Sequence, residues 1–147
     1  YSHLLLWNKI LESNYDYALV LEDDVILPKN LNLEIEKIIN NAPSDWDLIY
    51  LGGCNIKGKL YNKDFIEPIK NYKNAYDGST NLCTHAMLFN KKNIKKVINV
   101  LLPIKYSIDN QLRLNFNKLN VFYTNPNLIN QNKDLISIRR EIDGIPQ

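Results

Sequence analysis

Five consecutive apolar or aromatic residues, Tyr17-Ala18-Leu19-Val20-Leu21, run straight into three carboxylates, Glu22-Asp23-Asp24. The run is too short for a helix and does not alternate, the pattern of a strand covered on both faces, as in parallel sheets. A strand buried on two sides needs helices on two sides, and the flanking sequence supplies them. Upstream, Ser2 is placed to cap a helix running to about Asn14, with Leu4, Leu5, Trp7 and Leu11 near helical spacing. Downstream, Pro28 opens a helix to about Asn41 that carries Leu31, Leu33, Ile35, Ile38 and Ile39, and Pro43-Ser44 break it. Asp47-Leu48-Ile49-Tyr50-Leu51 reads as a second buried strand, stopped by Gly52-Gly53. Strand, helix, strand in this order predicts a right-handed parallel crossover and an α/β domain.

The stretch from Asn55 to about Asn81 is polar, tyrosine-rich and weakly patterned; it reads as a long functional loop with a short hairpin around Lys57-Gly58-Lys59. A strand over Leu82 to Phe89 follows. Next comes a basic amphipathic helix from about Lys91 to Leu102, whose Ile94, Val97, Ile98 and Leu101 face the core. Beyond Pro103, Ser107 is placed to cap a helix through Leu119 with Ile108, Leu112 and Phe116 inward. Val121-Phe122-Tyr123 is a short strand stopped by Asn125-Pro126, and the tail is an ordered strap or a frayed end. With no repeat and no linker, residues 1–147 read as a single domain.

Composition narrows the classes. At 147 residues and 45% hydrophobic, the chain can bury roughly 70% of the surface its unfolded form exposes, which excludes intrinsic disorder. Only 5 Gly and 6 Pro exclude collagen-like or low-complexity sequence. No apolar run approaches the ~20 residues of a membrane span. A net charge of +2 is too small to steer nucleic acid. The chain starts at Tyr1 and has one methionine, Met87, so it is expected to be a processed product or a piece of something longer. Cys54 and Cys83 lack metal-site spacing and read first as two reduced, buried thiols, with a bridge between them the alternative. The absence of an Asn-x-Ser/Thr sequon leans towards the cytoplasm, with the endoplasmic reticulum lumen the alternative if a signal precedes Tyr1.

The acidic triplet is the strongest chemical signal, because ligands of open α/β sheets collect outside the carboxyl ends of the strands. Extended backbone puts Glu22 and Asp24 on one side and Asp23 on the other. Two converging carboxylates repel unless a cation or a raised pKa relieves them. Hard oxygen ligands favour Mg2+ or Mn2+, and such a cation neutralises a diphosphate leaving group. A solvated acidic turn before a helix is the plainer reading. Three further positions carry two readings each. His3 either contacts donor phosphates or is hydrogen-bonded at a helix start. His85, mid-strand and grouped with Cys83 and Met87, is either a satisfied core histidine or a pocket or metal contact. Asp109 is either a base or a stabiliser of a helix N-terminus. Asp45 and Asp47, flanking Trp46, read as structural, and the loop bearing Tyr61, Tyr72, Tyr76 and Asp77 suits sugar stacking.

An ordered set of motifs connects these residues. Ser2-His3 followed by Trp7, Leu21-Glu22-Asp23-Asp24-Val25 and Asp45-Trp46-Asp47-Leu48-Ile49-Tyr50-Leu51-Gly52 come first. Thr84-His85-Ala86-Met87-Leu88, Ile108-Asp109, Pro126, Gln131 and Ser137-Ile138 follow. Together they resemble glycosyltransferase family 25, which includes lipopolysaccharide sugar transferases and collagen galactosyltransferases. The resemblance implies a GT-A-like fold, a mixed and mostly parallel sheet flanked by helices. This chain begins where the family's first strand-helix-strand portion would already have passed. It also implies transfer of a hexose, commonly galactose, from a UDP-sugar with inversion, onto a glycan, a lipid-linked sugar or hydroxylysine. On this resemblance Glu22 and Asp24 hold Mn2+ or Mg2+, and Asp23, His3, Thr84, His85 and Gln131 contact donor or substrate. Asp109 is then the base that deprotonates the acceptor hydroxyl. A non-catalytic, degenerate relative used for binding or assembly is the alternative, and a metal-dependent phosphohydrolase or nuclease a more distant one.

Overall fold

The computed structural model describes residues 2–75, 77–132 and 134. In chain order the elements are α1 (Ser2–Glu12), β1 (Tyr17–Leu21), β2 (Val25–Ile26), α2 (Leu31–Asn41), β3 (Leu48–Tyr50), β4 (Gly58–Asn62) and β5 (Phe65–Pro68). Then follow β6 (Ala86–Asn90), α3 (Ile94–Leu101), α4 (Ile108–Leu114), β7 (Val121–Thr124) and β8 (Asn130–Gln131). Single 3-10 turns lead into α3 and follow α4.

Six strands form one mixed sheet in the order β1-β6-β3-β7-β5-β4, and β2 pairs with β8 in a separate two-stranded ribbon. The α/β class and the mixed sheet flanked by helices are as expected, but the pairing is less parallel than the sequence implied. Among the described residues only β3–β7 is a parallel pair; β1–β6, β3–β6, β5–β7 and β4–β5 are antiparallel. β1 and β3 do point the same way, but β6 is inserted between them in the opposite direction. The cause is the excursion after β3. Its two ends are tied together where β3 stops, by the Cys54–Leu82 bridge and by Leu51 N–H donating to the Ala86 carbonyl at 3.0 Å. A chain that returns to the edge it left must run back antiparallel.

Period-two alternation splits the sheet into two apolar faces. Leu48, Tyr50, Met87, Phe89, Val121 and Tyr123 join Trp7 and Ile10 of α1, Ile94, Val97 and Leu101 of α3, and Leu112 of α4. Ile49, Leu51, Ala86, Leu88 and Phe122 form the other cluster, against Leu31, Ile35, Ile38 and Ile39 of α2. The two-sided cover predicted for the strands is complete for β3, whose three residues are all buried, but only partial for β1, an edge strand in which Val20 is buried and Tyr17 exposed. The predicted inward face of α1 shifts: Ile10 is buried and Leu5 is half exposed.

Other boundaries differ for local reasons. The hairpin is real, but it joins β4 to β5 with its turn at Lys63-Asp64, where the Asn62 side chain accepts from Asp64 N–H and Phe65 N–H, not at Gly58. The predicted strand from Leu82 starts only at Ala86, because Asn81 and Cys83 adopt positive φ (54° and 72°), so His85 precedes the strand instead of lying within it. The cysteines are not free thiols: Cys54 and Cys83 form a disulfide with Cα atoms 5.6 Å apart. Tyr76, the Ser137-Ile138 motif and the rest of residues 135–147 fall outside the described residues, whereas the start of the tail is an ordered strap whose β8 pairs with β2.

Candidate functional site

β1, β3 and β7 share one direction, so their carboxyl ends lie on one edge of the sheet, and β6 begins there. Four segments meet at that edge: the acidic triplet after β1, Gly52-Gly53 after β3, Thr84-His85 before β6, and residues 125–131 after β7. Backbone bonds weave them together. Glu22 N–H donates to the His85 carbonyl (2.9 Å), Leu128 and Ile129 N–H both donate to the Leu51 carbonyl (2.7 and 2.9 Å), and Asn132 N–H donates to the Asp24 carbonyl (2.6 Å). The β2–β8 ribbon, register Val25↔Gln131, closes the edge.

The carboxylates separate in the way expected, though through a turn and not by strand alternation: Glu22 and Asp24 are half-buried and Asp23 is exposed. Thr84 Oγ1 donates to Glu22 Oε1 at 2.8 Å. Gln131 Nε2 donates to Asp24 Oδ2 at 3.0 Å, while Asp24 Oδ1 is buried without a hydrogen-bond partner. A buried carboxylate oxygen left bare costs about 1–3 kcal/mol, which a bound cation or donor group would offset. The triplet does not close into a three-carboxylate cage; among the described residues the one His/Cys/Asp/Glu group with mutually close ligand atoms is Cys54, Cys83 and His85. Magnesium-type sites need no such cage, since they use one or two carboxylates plus substrate phosphates and waters. Asp24, oriented by Gln131, and Glu22, oriented by Thr84, fit that pattern.

His3 lies in the first turn of α1, half-buried and edge-on to Trp7 with ring centroids 6.1 Å apart. It lines a cavity of about 150 Å³ with Leu4, Leu101, Ile104, Tyr106, Ile108 and Gln111. Burial holds its pKa below the usual histidine value, against the upward pull of the Glu22 carboxylate. The imidazole therefore stands within electrostatic reach of the triplet, and its cavity borders the start of α4.

Asp109 occupies the first turn of α4, half-buried, with Oδ1 accepting from Asn110 N–H at 2.8 Å. Its charge is felt by Tyr50 and Tyr123, which stack at 4.5 Å; burial first, and Asp109 among the lesser causes, pushes both phenols far above their ordinary pKa. The Tyr123 hydroxyl donates to the Asn81 carbonyl at 3.1 Å, tying this pair to the segment that leads to Thr84.

Some functional expectations move. Tyr72 is committed to structure: the Arg113 guanidinium lies 4.6 Å from its ring centroid, and its hydroxyl takes a 2.7 Å bond from Asn81 Nδ2. Tyr61 is an exposed β4 residue edge-on to Phe122. Asp47 is structural as predicted, fully buried and accepting from Lys96 Nζ (2.5 Å) and Asn120 N–H (2.8 Å). Arg113 escaped the sequence reading. It is fully buried and donates to the carbonyls of Gly78, Thr80 and Ala75 and to Asn110 Oδ1, clamping the 72–80 loop onto α4. Its signal in the sequence is that it is the one arginine among the described residues, which otherwise carry lysine, Arg139 and Arg140 lying outside them.

The family model described as "Glycosyltransferase family 25 (LPS biosynthesis protein)" matches residues 1–112. The chain belongs to glycosyltransferase family 25. The matched span contains His3, the triplet, Thr84, His85 and Asp109; Gln131 lies beyond it, yet bonds Asp24. Similar curated proteins are Procollagen galactosyltransferase 1-B of Xenopus laevis, 27% identical over 101 residues, and Procollagen galactosyltransferase 2 of Homo sapiens, 23% identical over 100 residues. These matches cover 67% and 66% of this chain but only 16% and 15% of the relatives, so the chain spans about one sixth of their length. The mixed six-stranded sheet between helices is consistent with the Rossmann-like GT-A fold of such enzymes. Among the described residues no helix is long and apolar enough to cross a membrane.

Proposed function

We propose that this chain carries the acidic site of a metal-dependent, inverting transferase that moves a hexose, galactose by analogy with its relatives' names, from a UDP-sugar to a hydroxyl acceptor. The observation that carries the reading is Asp24: one oxygen fixed by Gln131, the other buried and bare at the carboxyl edge of the sheet. Asp24 and Glu22 would hold Mn2+ or Mg2+, which when bound neutralises the charge that develops on the departing diphosphate. Gln131 and Thr84 keep the two carboxylates aimed. Exposed Asp23 is free to meet the ribose, and neutral His3 is suited to donate to a phosphate without itself carrying charge. His85, its carbonyl bonded to Glu22 N–H, holds the triplet's backbone in place.

Inversion requires a base on the face of the sugar opposite the leaving group. Asp109 takes that role: one carboxylate oxygen is occupied by Asn110 N–H, and the buried tyrosine pair beside it is held protonated, so it does not compete for the proton. The acceptor is a glycan, a lipid-linked sugar or a hydroxylysine. A Cys54–Cys83 bridge suits an oxidising compartment and supports the lumenal placement over the cytoplasmic one.

The test is calorimetry of Mn2+ and UDP with the wild-type chain and Asp24→Ala, joined to UDP release from UDP-galactose by the parent polypeptide. Wild type is expected to bind Mn2+ and UDP together and to release UDP; Asp24→Ala is expected to do neither. Equal turnover by the two proteins would end the metal role, and no carboxylate-dependent binding at all would favour the non-catalytic alternative.

A further inference from the structure

The disulfide and the ring of His85 form a cluster that takes no chemical part in the proposed transfer, although it borders that site: Cys54 Sγ stands 3.8 Å from Gln131 Oε1. Both sulfurs and one ring nitrogen of His85 lie within 4.8 Å of one another. His85 is 2% exposed, and its Nε2 stands 3.1 Å from the Ile129 carbonyl. A carbonyl only accepts, so Nε2 carries the proton and Nδ1 is the lone-pair nitrogen; Nδ1 is buried and has no partner. An imidazole that donates one N–H to a backbone carbonyl and keeps its other nitrogen bare is arranged as metal-ligating histidines are. Bonds of ~2.3 Å to sulfur and ~2.0 Å to nitrogen in a tetrahedral site put ligand atoms roughly 3.5–4 Å apart, so once the S–S bond is broken the two sulfurs must part to about that distance.

We propose that reducing the Cys54–Cys83 bridge turns this cluster into a zinc site, with the two thiolates and His85 Nδ1 as ligands and the fourth position open to water. A dithiol supplies two electrons and two protons to the S–S bond and leaves as its own cyclic disulfide; on zinc binding, both thiol protons pass to solvent. Thiolate and imidazole ligands select zinc over the hard cations suited to Asp24. The site goes beyond the transfer reaction and needs none of its carboxylates. In either state the turn at residues 52–54 stays stapled to residues 81–85, which keeps Thr84 on Glu22 where thiols are reduced as well as where they are oxidised.

The experiment titrates zinc into the full chain, once oxidised and once reduced by a dithiol that is then removed, against a chromophoric chelator. Thermal melts and cobalt absorption spectra run in parallel. The reduced chain is expected to bind one zinc, to show a thiolate-to-cobalt charge-transfer band and to melt higher with zinc, and the oxidised chain to do none of these. Cys83→Ser is expected to weaken zinc binding by more than the roughly 10- to 100-fold typical of losing an outer-shell partner. His85→Gln removes a buried hydrogen bond as well as a ligand, so the comparison of the two redox states of the wild type carries the test. Asp24→Ala is expected to keep the zinc while losing Mn2+ and UDP, which separates this inference from the transferase reading. Equal zinc binding in both redox states, none in the reduced chain, full retention in Cys83→Ser, or loss in Asp24→Ala would each overturn it.

Discussion

Gly52 is where three parts of the site press hardest on one another, and Gly52→Ala measures how tightly they are set. A Cβ there would stand 1.9 Å from the Ile129 carbonyl oxygen and 2.3 Å from His85 Nε2, well inside the 3.0 Å below which real Cβ atoms are essentially never found. The backbone has little room to yield. Leu51 donates to Ala86 on one side and on the other accepts from Leu128, Ile129 and the Thr124 hydroxyl. The methyl must therefore displace residues 128–131 or the His85 ring. Overpacking of this kind costs about 1–3 kcal/mol. Losing the His85–Ile129 bond leaves buried polar atoms unpaired at a further ~1–3 kcal/mol, so the expected total is about 2–6 kcal/mol. Gly78→Ala is the control, because Gly78 has φ +75° but nothing within 4 Å of a new Cβ. Only the left-handed backbone penalises it, by about 1–2 kcal/mol. Urea unfolding of both variants, with unchanged m-values, reads the difference directly. Gly52→Ala should also weaken UDP and Mn2+ binding, since Ile129 leads into Gln131 and thus to Asp24. A Gly52→Ala protein within 0.5 kcal/mol of wild type by the same ~±0.5 kcal/mol surface standard, or one more stable than Gly78→Ala, would refute this account of the edge.

Other expectations follow from single side chains. Asp109→Asn should lower turnover by at least about 100-fold, the usual scale for a general base, while moving stability by less than ~1 kcal/mol; a large stability loss with turnover intact would reduce Asp109 to a helix-end charge. Arg113→Met should cost about 3 kcal/mol by stranding the carbonyls of Ala75, Gly78 and Thr80, and Arg113→Lys should not restore it, since a single ammonium cannot reach the fork of acceptors; chemical denaturation checks both. Asp47→Ala should cost about 2 kcal/mol by leaving Asn120 N–H unpaired, whereas Lys96→Ala, from the half-exposed end of the same ion pair, should cost under ~1 kcal/mol. The His3 imidazole should titrate below 6.5 by NMR, and lower still in Glu22→Gln, which removes the carboxylate that favours its charged form. Because the folded state binds fewer protons there than the unfolded chain, this residue's contribution to stability falls as pH drops through 6.5 and levels off below the folded midpoint.

What the sequence determined by itself was everything governed by local pattern. The Tyr17–Leu21 and Leu48–Tyr50 runs have the period and length of strands, and Ile94, Val97 and Leu101 and the pair Leu112 and Phe116 have helical spacing. Burial on both faces followed from the lack of alternation at Leu48–Tyr50, while Tyr17–Leu21, at the sheet's edge, is covered only in part. The acidic triplet at a strand end and the ordered motifs around it pointed to the family for the same reason: they are contiguous in the chain. Only the tertiary structure decided what depends on contacts between distant residues. The direction of β6 is set by ties between residues 51–54 and 82–86, and no local pattern reports which edge a long excursion returns to. Gln131 meets Asp24 across 107 residues, Thr84 meets Glu22 across 62, and Cys54 meets Cys83 across 29. Positive φ at Asn81 and Cys83 delays β6 and frees His85 to turn towards Ile129, a backbone choice that asparagine favours at 81 but that side-chain propensity does not encode at Cys83. Hydrophobic periodicity acts within a few residues and can be read along the chain; hydrogen-bond and disulfide partners act through space, and only closure of the sheet brings them within reach.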